Sequence, residues 1–181
     1  MKLYTNVYLN CNFIHMKLKT FILSSVLTLN SLNYSFADDT RSGINFYSGT
    51  FDFSDDKKSS TLFGIEHQNE NLYRDTMIGR VSPITGMMIT QDAAAYIYTG
   101  IEANYDLGPL KLTPSFAPGL YSQGDGKDLG HPLEFKSELQ LSMDLGETTN
   151  FGMSYNHVSN ASLGDKNPGA NSYMFNFLKK F

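Results

Sequence analysis

The chain ends Asn171-Ser172-Tyr173-Met174-Phe175-Asn176-Phe177-Leu178-Lys179-Lys180-Phe181, and this stretch decides the fold. On an extended strand successive side chains point to opposite faces. Tyr173, Phe175, Phe177 and Phe181 therefore share one face, and Ser172, Met174, Asn176 and Leu178 share the other. Lys179 breaks the aromatic row, but its long stem lets the ammonium reach an aqueous interface. An aromatic face backed by a mixed, partly polar face is what a strand needs when lipid lies outside and a polar lumen inside.

The same period recurs upstream. In 132–143, Leu133, Phe135, Leu139, Leu141 and Met143 alternate with Glu134, Lys136, Glu138, Gln140 and Ser142. Three charges turned inward from one strand are costly in a dry core but natural in a small barrel, where they pair across the lumen. Strand-like runs fall at 43–54, 60–69, 76–90, 94–105, 110–123, 132–143, 150–159 and 171–181, separated by Gly, Asp, Asn and Pro clusters suited to turns. Eight runs of about ten residues match strands that cross a bilayer at a tilt. The expectation is an all-β fold, an eight-stranded antiparallel transmembrane β-barrel of the outer membrane. The terminal Phe181 also resembles the signal by which such barrels are recognised for assembly. The competing reading is a soluble barrel or sandwich that happens to end on Phe.

Residues 1–37 read as an upstream extension and signal peptide. Met16 is the expected true start, Lys17 and Lys19 form a basic head, 21–29 is apolar, and Ser35-Phe36-Ala37 sets cleavage after Ala37. The apolar core is shorter than the roughly 20 residues of a spanning helix. Residues 38–181 are then one β-barrel domain. Cleavage removes Cys11, the single cysteine, so the exported chain folds without an internal disulfide. The leader holds three of the 14 basic residues and none of the 18 acidic ones, which leaves 11 basic against 18 acidic, a net charge of −7 with His neutral. That balance argues against nucleic acid as a partner. The full chain has 13 Phe and 11 Tyr but no Trp. Its mean hydropathy is close to neutral at −0.28, so a membrane reading rests on strands rather than helices.

Chemistry concentrates in 150–171. Phe151, Met153 and Tyr155 form the outward face of the seventh run, and the period of two places His157 and Ser159 on that face as well. A histidine and a serine two apart on a strand stand side by side, the arrangement in which a base activates a nucleophile. With both termini periplasmic, the seventh run heads outward and the loop 160–170 is extracellular, so the pair sits at the outer-leaflet end of the wall. That placement suits an esterase attacking a lipid from outside the barrel. It depends on the register, which a single bulge would reverse. His67 and His131 are isolated, and neither a metal-ligand spacing nor a glycine-rich phosphate loop is present, so no cofactor is expected.

His157-Val158-Ser159-Asn160-Ala161, followed by Asn167-Pro168-Gly169 and a short last strand, resembles the lipid A 3-O-deacylase (PagL-like) family of outer-membrane barrels. Pro114-Ser115-Phe116-Ala117-Pro118-Gly119-Leu120-Tyr121 and the stretch 128–137 are similar to the related acyloxyacyl-hydrolase-type sequences. The likeness spans 60–181 and is strongest toward the C-terminus. It implies an eight-stranded barrel that hydrolyses the ester-linked acyl chain at position 3 of lipid A, with lipopolysaccharide as substrate and membrane lipids as surroundings. Whether the chain forms a homodimer stays open. Carried over, the resemblance makes Ser159 the nucleophile, His157 the general base and Asn167 an oxyanion donor, with Asn160 supporting the hole or fixing the loop. The family's acidic third member falls at Asn171, which holds a histidine tautomer but cannot offset imidazolium charge. Asp165 is the substitute if the loop folds back, whereas Glu134 faces the lumen. A non-catalytic barrel that is structural, adhesive or binds lipopolysaccharide is the alternative that Asn171 sustains.

Overall fold

A computed structural model describes residues 42–55 and 58–181. The expected extension, start and signal segment lie outside the described residues. The strands are β1 (Ser42–Phe51), β2 (Ser60–Asn69), β3 (Arg74–Thr76), β4 (Gly79–Thr90), β5 (Ala95–Ala103), β6 (Tyr105–Leu107), β7 (Leu110–Ser122), β8 (Leu133–Gly146), β9 (Thr149–Ser159) and β10 (Ala170–Lys180). All pair antiparallel. β3 continues β2 after a single 3-10 turn, and β6 continues β5, so ten segments make eight staves. β1 pairs with both β2 and β10, and β2 pairs with β4, which closes the ring. Closure satisfies every ladder without an open edge, as lipid surroundings demand.

The eight expected runs coincide with the eight staves, with two informative shifts. The second hairpin turns at Met77-Ile78 rather than within 70–75. Thr76 Oγ1 accepts the Ile78 N–H at 3.3 Å and donates to Gly79 O at 2.8 Å, while Gly79 takes a positive φ of 102°. That chemistry makes a tight turn beneath two apolar residues that read as strand. β8 runs on to Gly146, and a bulge between Asp144 and Gly146 moves its turn to Glu147-Thr148.

The outer wall is apolar on every stave, with exposed Phe46, Phe63, Met87, Ile97, Phe116, Leu139, Met153 and Phe175. Inward positions change character along the barrel axis. Toward the ends Phe51, Thr90, Tyr121 and Ser159 the lumen is packed by Phe51, Leu62, Met88, Tyr96, Tyr121, Leu129, Val158 and Met174. Three tyrosines fill it because glycines face them: a Cβ at Gly64 would overlap the ring of Tyr47, at Gly86 that of Tyr98, at Gly119 that of Tyr96. At mid-height Lys136, 1% exposed, reaches Glu66 at 3.3 Å and Glu138 at 3.1 Å and lies 4.1 Å over the Tyr98 ring. Tyr98 donates to Glu66 at 2.8 Å and shares a 3.0 Å hydrogen bond with Tyr47. Of the inward charges expected of the sixth run, Lys136 pairs across the lumen with Glu66 and along its own strand with Glu138, while Glu134 is buried with no hydrogen-bond partner among the described residues. Toward the termini the lumen turns polar and opens into a cavity of about 880 Å³ lined by Arg80, Lys111, Gln140, Asn150 and Lys180.

Candidate active site

β9 brings Tyr155, His157 and Ser159 to the outer wall in the order that period two requires, with no bulge along its ladder with β10. The register sets His157 between Ser137 of β8 and Asn171 of β10, and Ser159 beside Phe135. The small Ser137 leaves the imidazole open on one side. On the other side, His157 Nδ1 lies 2.8 Å from Asn171 Oδ1. Tyr155 Oη donates to the same oxygen at 2.8 Å. Two donors converging there fix the amide with its oxygen toward the histidine, so Nδ1 carries the proton and Nε2 is left with the lone pair a general base needs. The structure thus brings Asn171 against His157.

Among the described residues, no hydrogen bond joins His157 to Ser159; the two stand on one face about 7 Å apart along the backbone. Hydrogen bonds of this kind are often long before substrate arrives.

The loop after β9 is fixed by its asparagines. Asn167 Oδ1 accepts the backbone N–H of Asn160, the residue after Ser159, at 3.1 Å, which leaves the Asn167 Nδ2–H group as a donor. Asn160 itself is fully buried and donates to Leu129 O at 2.7 Å and Lys166 O at 2.8 Å. Of its two expected roles the structure brings its side chain to the loop, clear of the wall. Ala161 and Ser162 follow with φ of 52° and 65°, a left-handed pair costing about 1–2 kcal/mol each. Such strain is held by surroundings that over-determine it. Gly169 also has a positive φ, 61°, and a Cβ there would lie 2.8 Å from His157 Cε1. The Asn-Pro-Gly turn therefore packs directly on the imidazole, and only glycine fits.

A second loop clamps the first. Lys166 Nζ lies 2.6 Å from Asp128 Oδ2, and the Gly130 N–H donates to Asp128 at 2.8 Å. The Lys166 hydrogen bond, helped by that N–H, holds the Asp128 carboxyl below its ordinary range. Asp165, the substitute only if the loop folds back, stays exposed in the loop, and His157 Nδ1 faces Asn171. Glu134 is buried in the lumen, away from the wall, as its parity requires. Among the described residues no three His, Cys, Asp or Glu side chains stand together as metal ligands.

Sequence reasoning missed three neighbours. Asn171 Nδ2 donates to Ser54 Oγ at 3.2 Å, Ser54 donates to Asp52 Oδ1 at 3.0 Å, and the Asn171 N–H reaches the same oxygen at 3.3 Å. Phe53 stacks on Tyr173 with centroids 4.3 Å apart and meets Tyr155 edge-on at 6.3 Å. Asp52, Phe53 and Ser54 lie at the end of β1, and only barrel closure brings them beside β10. The signal available was topological: in a closed barrel the first strand neighbours the last.

A family model described as lipid A 3-O-deacylase (PagL) matches residues 43–180. No curated protein matches the chain. Among solved structures, the crystal structure of the outer membrane enzyme PagL aligns with a TM-score of 0.61 at 15% identity, covering 77% of this chain and 99% of that one. A designed transmembrane β-barrel aligns at 0.54 with 7% identity, over 80% and 98% of the two chains. Neisserial surface protein A aligns at 0.52 with 11% identity, over 77% and 97%. At these identities the structural matches speak for the fold alone.

Proposed function

Since the chain belongs to the lipid A 3-O-deacylase (PagL) family of outer-membrane barrels, we propose that it hydrolyses an ester-linked acyl chain of lipid A with Ser159 as nucleophile and His157 as general base. The observation that carries this reading is the 2.8 Å contact from His157 Nδ1 to Asn171 Oδ1 on the face that also carries Ser159, which leaves the Nε2 lone pair free to act as a base.

In the reaction, His157 Nε2 takes the Ser159 proton as Oγ attacks the ester carbonyl. The tetrahedral oxyanion accepts from Asn167 Nδ2–H, a donor of a kind worth about 2.7–4 kcal/mol in other hydrolases. The imidazolium returns its proton to the sugar oxygen, which departs as the alcohol. Water, deprotonated by the same histidine, then attacks the acyl-enzyme and frees the fatty acid. No metal or organic cofactor enters. Phe53, Tyr155 and Tyr173 form an aromatic surface below the site along which acyl chains lie. The wall placement supports a membrane lipid as substrate, because its ester reaches the site without leaving the outer leaflet.

The uncharged Asn171 favours a second reading, a barrel that binds lipopolysaccharide without cleaving it. Lipid A from outer membranes carrying wild-type chain or Ser159→Ala separates the two. Loss of one hydroxyacyl chain with wild type only is the expected result. Equal masses from both, with each barrel shown folded by its heat-modifiable migration, would favour the non-catalytic reading.

A further inference from the structure

We propose that Asp52 is a positioning residue that supplies, through Ser54 and Asn171, the negative charge missing from the third position of the His157 site. The inference rests on the esterase reading above and goes beyond it by identifying where the charge resides.

Three observations carry it. First, the donors all point one way. His157 Nδ1–H faces Asn171 Oδ1, Asn171 Nδ2–H donates to Ser54 Oγ, and the Ser54 hydroxyl donates to Asp52 Oδ1. A chain of aligned donors ending on an anion is mutually polarised, so charge on Asp52 strengthens the hydrogen bond at the imidazole. Second, Asp52 is fully buried, with φ of +49°, and its Oδ1 also accepts the Asn171 backbone N–H. One carboxylate thereby holds both the backbone and the side chain of Asn171. Third, the two carboxylate oxygens have separate partners. Lys127 bonds Asp52 Oδ2, which leaves Oδ1 to the Ser54 hydroxyl and the Asn171 N–H. The other groups around the imidazole, namely Tyr155, Ser137 and Gly169, are uncharged.

A purely structural staple between β1 and β10 would use the same contacts, so the test must read charge. Asp52→Asn removes the charge with little steric change, and Asn tolerates the left-handed conformation. Ser54→Ala cuts the connection and leaves the charge. Asn171→Glu places a charge directly on the histidine.

The full-length chain is purified from outer membranes into detergent. Each variant is measured for acyl release from lipid A, for thermal unfolding, and for the His157 Nδ1–H proton resonance, assigned by its loss in His157→Gln. Asp52→Asn and Ser54→Ala are expected to slow acyl release about 10–100-fold, the range seen when the partner orienting a functional histidine is removed. Both should move the Nδ1–H resonance upfield. Asp52→Asn combined with Asn171→Glu should match Asn171→Glu alone. An unchanged rate and resonance in Asp52→Asn would overturn the proposal, as would a loss that Asn171→Glu does not relieve. If wild type and Ser159→Ala are equally inactive, the esterase reading fails. The resonance still decides the relay: an upfield move in Asp52→Asn supports it, and an unmoved signal overturns it.

Discussion

At the end that carries Ser159 the lumen is closed by Phe51, Tyr96, Tyr121, Leu129 and Met174, while at the end that carries Phe181 Arg80, Lys111, Gln140, Asn150 and Lys180 line an open cavity. The same alternation of inward and outward residues builds both halves, and only the inward set differs. A site on the wall needs its strands immobile to within a fraction of an ångström, and packed aromatic rings behind β9 and β10 supply that rigidity. The half toward Phe181 carries no such demand and can remain hydrated. Between them the Lys136, Glu66 and Glu138 cluster marks the boundary. The contrast explains why the candidate residues gather on one rim.

The boundary is the place where one change should cost most. Lys136→Met leaves Glu66 and Glu138 facing each other, buried and without their cation. Removing one partner from a buried ionic group typically costs about 3–5 kcal/mol. Thermal unfolding in detergent should show a loss of that order, and Glu66→Gln in the same chain should recover part of it. A melting temperature equal to wild type would mean that water, not Lys136, neutralises the carboxylates.

A change at the rim that carries Ser159 should be milder for stability and severe for activity. Gly169→Ala adds a Cβ 2.8 Å from the imidazole at a φ that costs other residues about 1–2 kcal/mol. The barrel should remain folded while acyl release falls. An alanine variant as active as wild type would show that the loop does not set the imidazole.

The smallest effect concerns the clamp between the two loops at that rim. The Asp128 carboxyl is held below its ordinary range by Lys166, so its contribution is complete above that range and is lost progressively as pH falls from there through the lowered value. Protection of the 160–169 loop amides should therefore be full at neutral pH, begin to fall in the usual carboxylate range and go on falling below it. Asp128→Asn should raise exchange already at neutral pH. Equal protection in wild type and Asp128→Asn at neutral pH would contradict the clamp.

Much of this was legible in the sequence because a barrel strand is a local pattern. The Tyr173, Phe175, Phe177 row fixed the last strand's faces, and parity alone put Glu134 inside and His157 with Ser159 outside. Met77 and Ile78 misled, since apolar residues at a turn tip extend a strand pattern that only Thr76 and Gly79 interrupt. Asn160 was ambiguous because its neighbours in space, Leu129 and Lys166, belong to two loops. Asp52 was invisible for a different reason. Its partner Asn171 is 119 residues away, and the pairing exists only because the first strand closes on the last.

The most direct test of the account is whether an acyl group passes through Ser159. Purified barrel turning over lipid A is quenched in acid and its peptides weighed. The account predicts an acyl mass on the peptide bearing Ser159, and release of fatty acid that disappears in Ser159→Ala. Release that continues at the wild-type rate in Ser159→Ala would contradict it.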